Sequence, residues 1–358
     1  MPSLKEIKGR INSISSTLAI TSAMKMVAAA KLQKAQMAIQ NMLPYERRLY
    51  SMLLDLMGAM NISAAASEDG SVRGSGSAER GFDQSGDRLS LSNRHDLAGM
   101  DGAYSLMAQR EVRKVAIVAF ASNSSLCGAF NSNVIREATA VINEYRASGL
   151  RDSDIVVYSV GRKMADAMRK LGFPSPADFT KMSDSPSYDA ASALAQELFD
   201  GFVSGRFDKV ELVYNHYKST SSQPTTRQTY LPLSLADATA DIQVGKITDS
   251  ASESDTNRGA EPVGAPVVRQ GSPTTEDLIV EPSKEELIVT LLPKVVRLRV
   301  FTTLLDSTAA EQAARTVAMQ LATDNGNDLL QELTLEYNKG RQQKITSEIL
   351  DLVGGSMQ

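Results

Sequence analysis

The stretch Ile20–Leu32, ITSAMKMVAAAKL, is helix-forming throughout: it has no Gly or Pro, and its charges are Lys25 and Lys31. A surface helix usually shows an apolar stripe and a charged back. Ala19, Ala23 and Ala28 suit the interior of a helix pair, where small residues allow close approach. Met26, Ala29 and Ala30 lie on other faces, so the helix is small and smooth around most of its girth. Such a helix is expected to be enclosed on several sides, and it offers its surroundings positive charge.

Read outward, the stretch belongs to one very long helix from Ser3 to about Met60. Ser3 is an N-cap with Glu6 as its capping-box partner. Leu4, Ile7, Ile11, Ile14 and Leu18 follow the alternating three-and-four spacing of a coiled-coil seam. The seam then meets Thr21 and Lys25, and the apolar positions are expected to slip to Met24, Ala28 and Leu32. Pro44 is expected to kink the helix or mark a joint. A second long helix is expected from about Ser283 to Val353, with apolar positions from Leu287 to Leu352 and weak points at Gly326 and Gly340. Two seam-bearing helices at opposite ends of one chain imply an antiparallel coiled coil built from residues 1–60 and 283–358.

Between them, residues 111–233 read as α/β. KVAIVAF (114–120) is a continuous apolar run, the mark of a buried parallel strand. DIVVYSV (154–160) and DKVELVYNHYKS (208–219) are further strands, and TTRQTYLPL (225–233) is an edge strand. Helices over about 131–147, GRKMADAMRKLG and about 187–204 alternate with them. The pattern predicts a Rossmann-like, mostly parallel sheet domain docked beside the two terminal helices. Residues 61–110 are rich in Gly, Ser and Asp and read as a flexible insertion. Residues 234–282 read as an acidic insertion or loop; over 241–286, ten acids stand against four bases.

Composition excludes several functions. The net charge of −4 gives no reason to expect nucleic acid. A single cysteine, Cys127, excludes an internal disulfide framework, and His95 and His216 lie far apart for a metal or triad site. No apolar run approaches the ~20 residues needed to cross a bilayer, and MPSLKEIKGR resembles neither a signal nor a transit peptide. An intracellular, bacterial chain is expected. The loop ASNSSLCGAFN (121–131) opens a helix after a strand, where a nucleotide phosphate could sit. It holds one glycine, Gly128, where the dinucleotide fingerprint uses three, and no GxxxxGK[ST] occurs. Cys127 reads better as a buried small hydrophobe than as a nucleophile, and Asp324 with Asp328 as a solvated helix face.

SLKEIKGRINSISSTLAITSAMKMVAAAKL at one end is similar to the N-terminal helix of the γ subunits of F-type ATP synthases. RTVAMQLATDNGNDLLQELTLEYNKGRQQKITSEILDLVGG (315–355) resembles that family's C-terminal helix, and SLCGAFN its LCGG(L/F)N turn. The resemblance implies a non-catalytic rotor shaft inside a ring of α and β subunits, standing with ε on a membrane c-ring at the cytoplasmic face of the bacterial inner membrane. Membrane association is then indirect, and no cofactor or metal ion is implied in the chain itself. It further implies that Met24 and Lys25 meet an acidic loop of β, and that Arg315, Gln342, Thr346 and Glu348 make shaft-to-β or helix-to-helix contacts. Ile345, Ile349 and Leu352 would enter an apolar collar. Where the family has an acidic–basic–Gly triplet this chain has Asn123, Ser124 and Ser125. The second insertion begins after YLPLSL, where photosynthetic members hold a regulatory cysteine pair, but it contains no cysteine. A reductant should therefore leave ATPase activity of the assembled complex unchanged, and a clear change would count against that. The competing expectations are a free-standing α/β nucleotide-binding enzyme with coiled-coil arms, and a static scaffold.

Overall fold

The computed structural model describes residues 3–59, 106, 110–233, 281 and 283–355. Most of the two insertions lies outside these residues. Leu106 and Arg110, at the end of the first, pack onto the folded domain: Leu106 is buried, and Arg110 donates to the Phe202 carbonyl at 3.2 Å.

Helix α1 (Leu4–Ala59) has 56 residues and α6 (Lys284–Gly355) has 72, roughly 80 and 110 Å of helix. Ser3 caps α1, its Oγ accepting from the Glu6 amide at 3.2 Å. The helices run antiparallel: Leu4 lies at Gly340, Leu18 at Gly326, Lys25 bonds Gln320, and Arg299 bonds Glu46. The seam of α1 does not slip as the sequence led us to expect. It holds one heptad from Leu4 and Ile7 through Thr21, Lys25 and Ala28 to Leu32, Ala35, Glu46, Leu49 and Leu53, while Met24 stays outside it and exposed. Polar residues are tolerated there because they meet polar partners across the seam. Lys25 Nζ donates to Gln320 Oε1 at 2.6 Å, and Thr323 Oγ1 to Thr21 Oγ1 at 3.3 Å.

Pro44 does not end α1. A proline deprives the carbonyl four residues earlier of its partner; here Gln40 and Pro44 both face solvent, so water can satisfy it. Nor are the two glycines mere weak points. A Cβ on Gly326 would sit 2.8 Å from Leu18 Cδ2, and one on Gly340 3.2 Å from Leu4 Cδ2. Both glycines make room for leucines of α1. Gly326→Val should therefore destabilise the full chain by about 1–3 kcal/mol through overpacking, and adding Leu18→Ala should return part of it. Urea unfolding of both variants checks this; a more stable Gly326→Val chain would show that helix propensity governs the site.

The central domain comprises β1 (Val115–Phe120), α2 (Phe130–Ala147), β2 (Ile155–Val160), α3 (Arg162–Lys170), a short α4 (Thr180–Asp184), α5 (Tyr188–Val203), β3 (Lys209–Asn215) and β4 (Thr225–Leu231). The sheet order is β2-β1-β3-β4; β1 runs parallel to β2 and β3, and β4 is an antiparallel edge. Alternate residues of β1 enter two cores. Ile117 and Ala119 pack with Val134, Ile142, Met164 and Met168 of α2 and α3. Val118 and Phe120 pack with Leu198 and Phe202 of α5, Leu292 and Val296 of α6, and Leu49 and Leu53 of α1. The long helices thus complete the second face of the sheet. Gly161, at φ 96°, turns β2 into α3 so tightly that a Cβ would lie 2.0 Å from the Ala121 carbonyl oxygen.

Candidate functional site

In an open parallel sheet, ligands enter beyond the carboxyl ends of the strands where the strand order reverses. Here that point lies between β1 and β3, and α6 fills it. The loop after β1 lays Cys127 and Phe130 on Ala310, with Tyr217, two residues past β3, against the same cluster. A Cβ on Gly128 would reach Ala318 at 3.8 Å, ordinary contact. Asn215 Nδ2 donates to the Phe130 carbonyl at 3.1 Å and ties the two strand ends together. Cys127 is buried, with Asn131 Nδ2 donating to its Sγ at 3.1 Å. The position where a nucleotide phosphate would approach the helix N-terminus is occupied by the chain's own alanine-rich helix. The geometry fits a domain clamped on a shaft, not a nucleotide site.

Polar contacts fix the clamp. Asp306 of α6 accepts from the Tyr217 amide at 2.8 Å and pairs with His216 Nδ1 at 2.6 Å. The Tyr217 hydroxyl accepts from Gln36 Nε2 of α1, so one short segment touches both long helices. Farther along α6, Arg315 Nη1 meets Glu311 at 2.7 Å and its Nη2 donates to Ser124 Oγ at 2.7 Å. Burial pushes the Glu311 carboxyl above its ordinary range; Arg315 draws it down, Asp184 pushes it up, and Lys31 of α1 draws it down. Arg315, with 15% of its side chain exposed, is thus engaged within the chain, joining shaft to domain.

The remaining residues singled out from the sequence lie on the rod beyond the domain. Met24 is 41% exposed, beside Ile20, Met26 and Val27, all exposed. Lys25 is held by Gln320, as above. Past the Leu4–Gly340 contact α6 continues beyond the described residues of α1, and every side chain from Arg341 to Val353 is exposed. Ile345, Ile349 and Leu352 form one helical stripe there, with Leu350 and Val353 alongside. Thr346 Oγ1 donates to the Gln342 carbonyl at 2.9 Å, and Glu348 lies 3.7 Å from Lys344, both within the helix. Two groups therefore emerge: Arg315 in the clamp, and Met24, Lys25 and the 342–352 segment on the open rod. Sequence reasoning did not single out His216, Tyr217, Asp306 or Glu311 as contact residues. Their one signal is polar or aromatic residues where an apolar strand or seam would continue, too weak to identify a docking contact alone. No helix among the described residues is long and apolar enough to cross a membrane.

The family model described as ATP synthase matches residues 3–357. An ATP synthase gamma chain of Phocaeicola vulgatus is 46% identical over 357 residues, covering 100% of both chains. One of Bacteroides thetaiotaomicron is 44% identical over 358 residues, again covering 100% of both. Among solved structures, a chain of the Euglena gracilis mitochondrial ATP synthase OSCP/F1/c-ring assembly in rotational state 3 superposes with a TM-score of 0.52 at 19% identity, covering 99% of this chain and 93% of that one. That likeness is one of fold: two long terminal helices with the sheet domain at their side. On the family match and full-length identity, the chain belongs to the ATP synthase gamma chains.

Proposed function

We propose that the α1–α6 rod turns inside a ring of α and β subunits and carries rotation of a membrane c-ring to the β catalytic sites, with the sheet domain and an ε subunit forming the foot. The chain is a central-stalk subunit and not itself a catalyst. The observation that carries the proposal is the surface of the open rod. Large apolar side chains, among them Ile20, Met26, Val27, Leu321 and Leu335, point to solvent from different sides of a helix pair, as expected of a rod sheathed by partners.

In this reading Met24 and Lys25 meet an acidic β loop. In a sheath poor in water, the Lys25 ammonium gains more from that loop than the ~0–1 kcal/mol of an exposed pair. Gln342, Thr346 and Glu348 face the upper ring, and Ile345, Ile349 and Leu352 bear on an apolar collar. Arg315 acts from within, holding the domain to the rod. The chain stands at the cytoplasmic face of a bacterial inner membrane, peripheral to it and attached through the c-ring.

Reconstitution of the full chain with α and β subunits tests this. Co-elution at one copy per ring is expected, with the ATPase rate falling several-fold when residues 341–358 are removed. Co-elution with an unchanged rate would favour a static scaffold. Failure to associate, with a nucleotide bound to the isolated chain, would favour the enzyme.

A further inference from the structure

The apolar seam of the rod is too regular to define its own axial register. On α1, apolar or small residues recur at heptad spacing from Leu4 to Leu56, and on α6 the facing positions include Ala309, Ala313, Leu330 and Leu333. Sliding α1 by one heptad, about 10 Å, returns an apolar or small residue to most seam positions. Alanine against alanine discriminates least, because its short knobs fit neighbouring holes almost equally well.

Besides the partly exposed Thr21–Thr323 and Lys25–Gln320 contacts, two features do not repeat. Glu46 occupies a seam position and is buried. It accepts from Arg299 Nη1 at 3.2 Å and Thr302 Oγ1 at 3.1 Å, with the Arg299 guanidinium lying 5.6 Å from the Tyr50 ring centre. A one-heptad slide carries the buried carboxylate away from Arg299 and brings it to Leu292 or to Asp306, breaking a largely buried ion pair. The second is the pair of glycine contacts, Leu18 on Gly326 and Leu4 on Gly340. One heptad to either side of Gly326 stand Leu333 and Met319, so a slid Leu18 meets a large side chain instead of a gap.

We infer that the Glu46–Arg299 pair together with Gly326 and Gly340, and not the apolar seam, selects the register of α1 against α6. These are positioning residues. They set how far the segment after Gly340 projects beyond the end of α1.

Disulfide trapping in the full chain tests this. Ile14 and Leu330 lie one turn beyond the Leu18–Gly326 contact, so the I14C/L330C chain should cross-link. I14C/Y337C reports a one-heptad slide, because in the native register its cysteines are too far apart to join. The I14C chain alone serves as the blank, since Cys127 is buried. In the otherwise unaltered chain the slid pair should stay at the blank level. Adding E46L/R299L, which replaces a buried ion pair by apolar residues and is expected to keep the chain folded, should raise slid-pair yield ~10-fold, as should G326L. Helix content by circular dichroism verifies folding of each variant. Slid-pair yields that stay at the blank level in both backgrounds, with helix content retained, would overturn the inference and assign the register to apolar packing and domain docking. Equal yields of both pairs in the unaltered chain would also overturn it.

Discussion

Replacing Arg315 by Ala should lower the unfolding free energy of the full chain by about 3–5 kcal/mol at neutral pH, and changing Glu311 to Gln in the same chain should restore most of it. Glu311 is 6% exposed and Arg315 approaches it at 2.7 Å. Without the guanidinium a buried carboxylate remains, with Lys31 pulling one way and Asp184 the other. The pH dependence has a definite sign. Burial already holds the folded-state Glu311 above its ordinary range. Between the unfolded and folded values the folded chain therefore binds the proton more tightly, and stability falls as pH rises through that window. Removing Arg315 takes away a downward influence and extends the window upward. Urea unfolding from pH about 4 to about 8 should show a small gap between Arg315→Ala and the unaltered chain at the acid end, and a large one at the neutral end. A gap of constant size would show that Arg315 works through packing and Ser124 alone.

That prediction departs from what the sequence suggested for Arg315, and the reason is instructive. Heptads, caps and apolar runs are local signals, and they made the architecture legible: the Ser3 cap, the seam from Leu4 to Leu18, the continuous run of β1, and β4 at the edge. Fold class follows from such patterns because each is set by burial along one element. The misreadings concern positions whose meaning depends on a second element. Thr21 and Lys25 read as a broken seam because Thr323 and Gln320, some three hundred residues away, supply their partners. Gly326 reads as a weak point until Leu18 is seen filling the space over it. Pro44 reads as a joint, but a single lost bond on a solvent-facing side does not break a helix held by its neighbours.

The candidate site divides along the same line. Family resemblance singled out the open-rod residues, most of which the structure leaves exposed. The clamp was not legible. His216 and Tyr217 follow a strand as any loop residues do, and only the placement of α6 across the strand ends brings Asp306 and Gln36 to them. The same placement closes the crevice that made a nucleotide enzyme worth considering. Ala309 and Ala313 face α1, while Ala310 and Ala314 face the loops after β1 and β3, so small residues serve two interfaces of one helix.

Glu211 is the second buried carboxylate with a definite pH signature, the reverse of that of Glu311, and its own removal should be costly. It lies on β3 with 2% of its side chain exposed. Its Oε1 accepts from the Tyr145 hydroxyl at 2.6 Å and from Lys209 Nζ at 2.7 Å, and its Oε2 from Arg227 Nε at 2.7 Å. Arg227 also pairs with Glu144. Burial alone would push the Glu211 carboxyl up, but hydrogen bonds from Arg227, Lys209 and Tyr145 more than offset this and hold it below the usual range. The unfolded chain therefore binds the proton more tightly, so the contribution is fully present above the ordinary glutamate range and is lost as pH falls through the folded value. Glu211→Gln should cost about 3 kcal/mol at neutral pH, the low end for a broken buried pair, because Arg227 and Lys209 are each about a quarter exposed and keep some water. As pH falls below the carboxylate range the unaltered chain loses the same charge, and the two unfolding curves should converge. Curves that stay apart at acid pH would mean that shape, and not ionisation, holds β3, β4 and α2 together. This network lies on the α2 face of the sheet, away from the clamp. Glu211→Gln combined with Arg315→Ala should therefore be close to additive, as expected of independent sites, and both penalties should shrink toward acid pH.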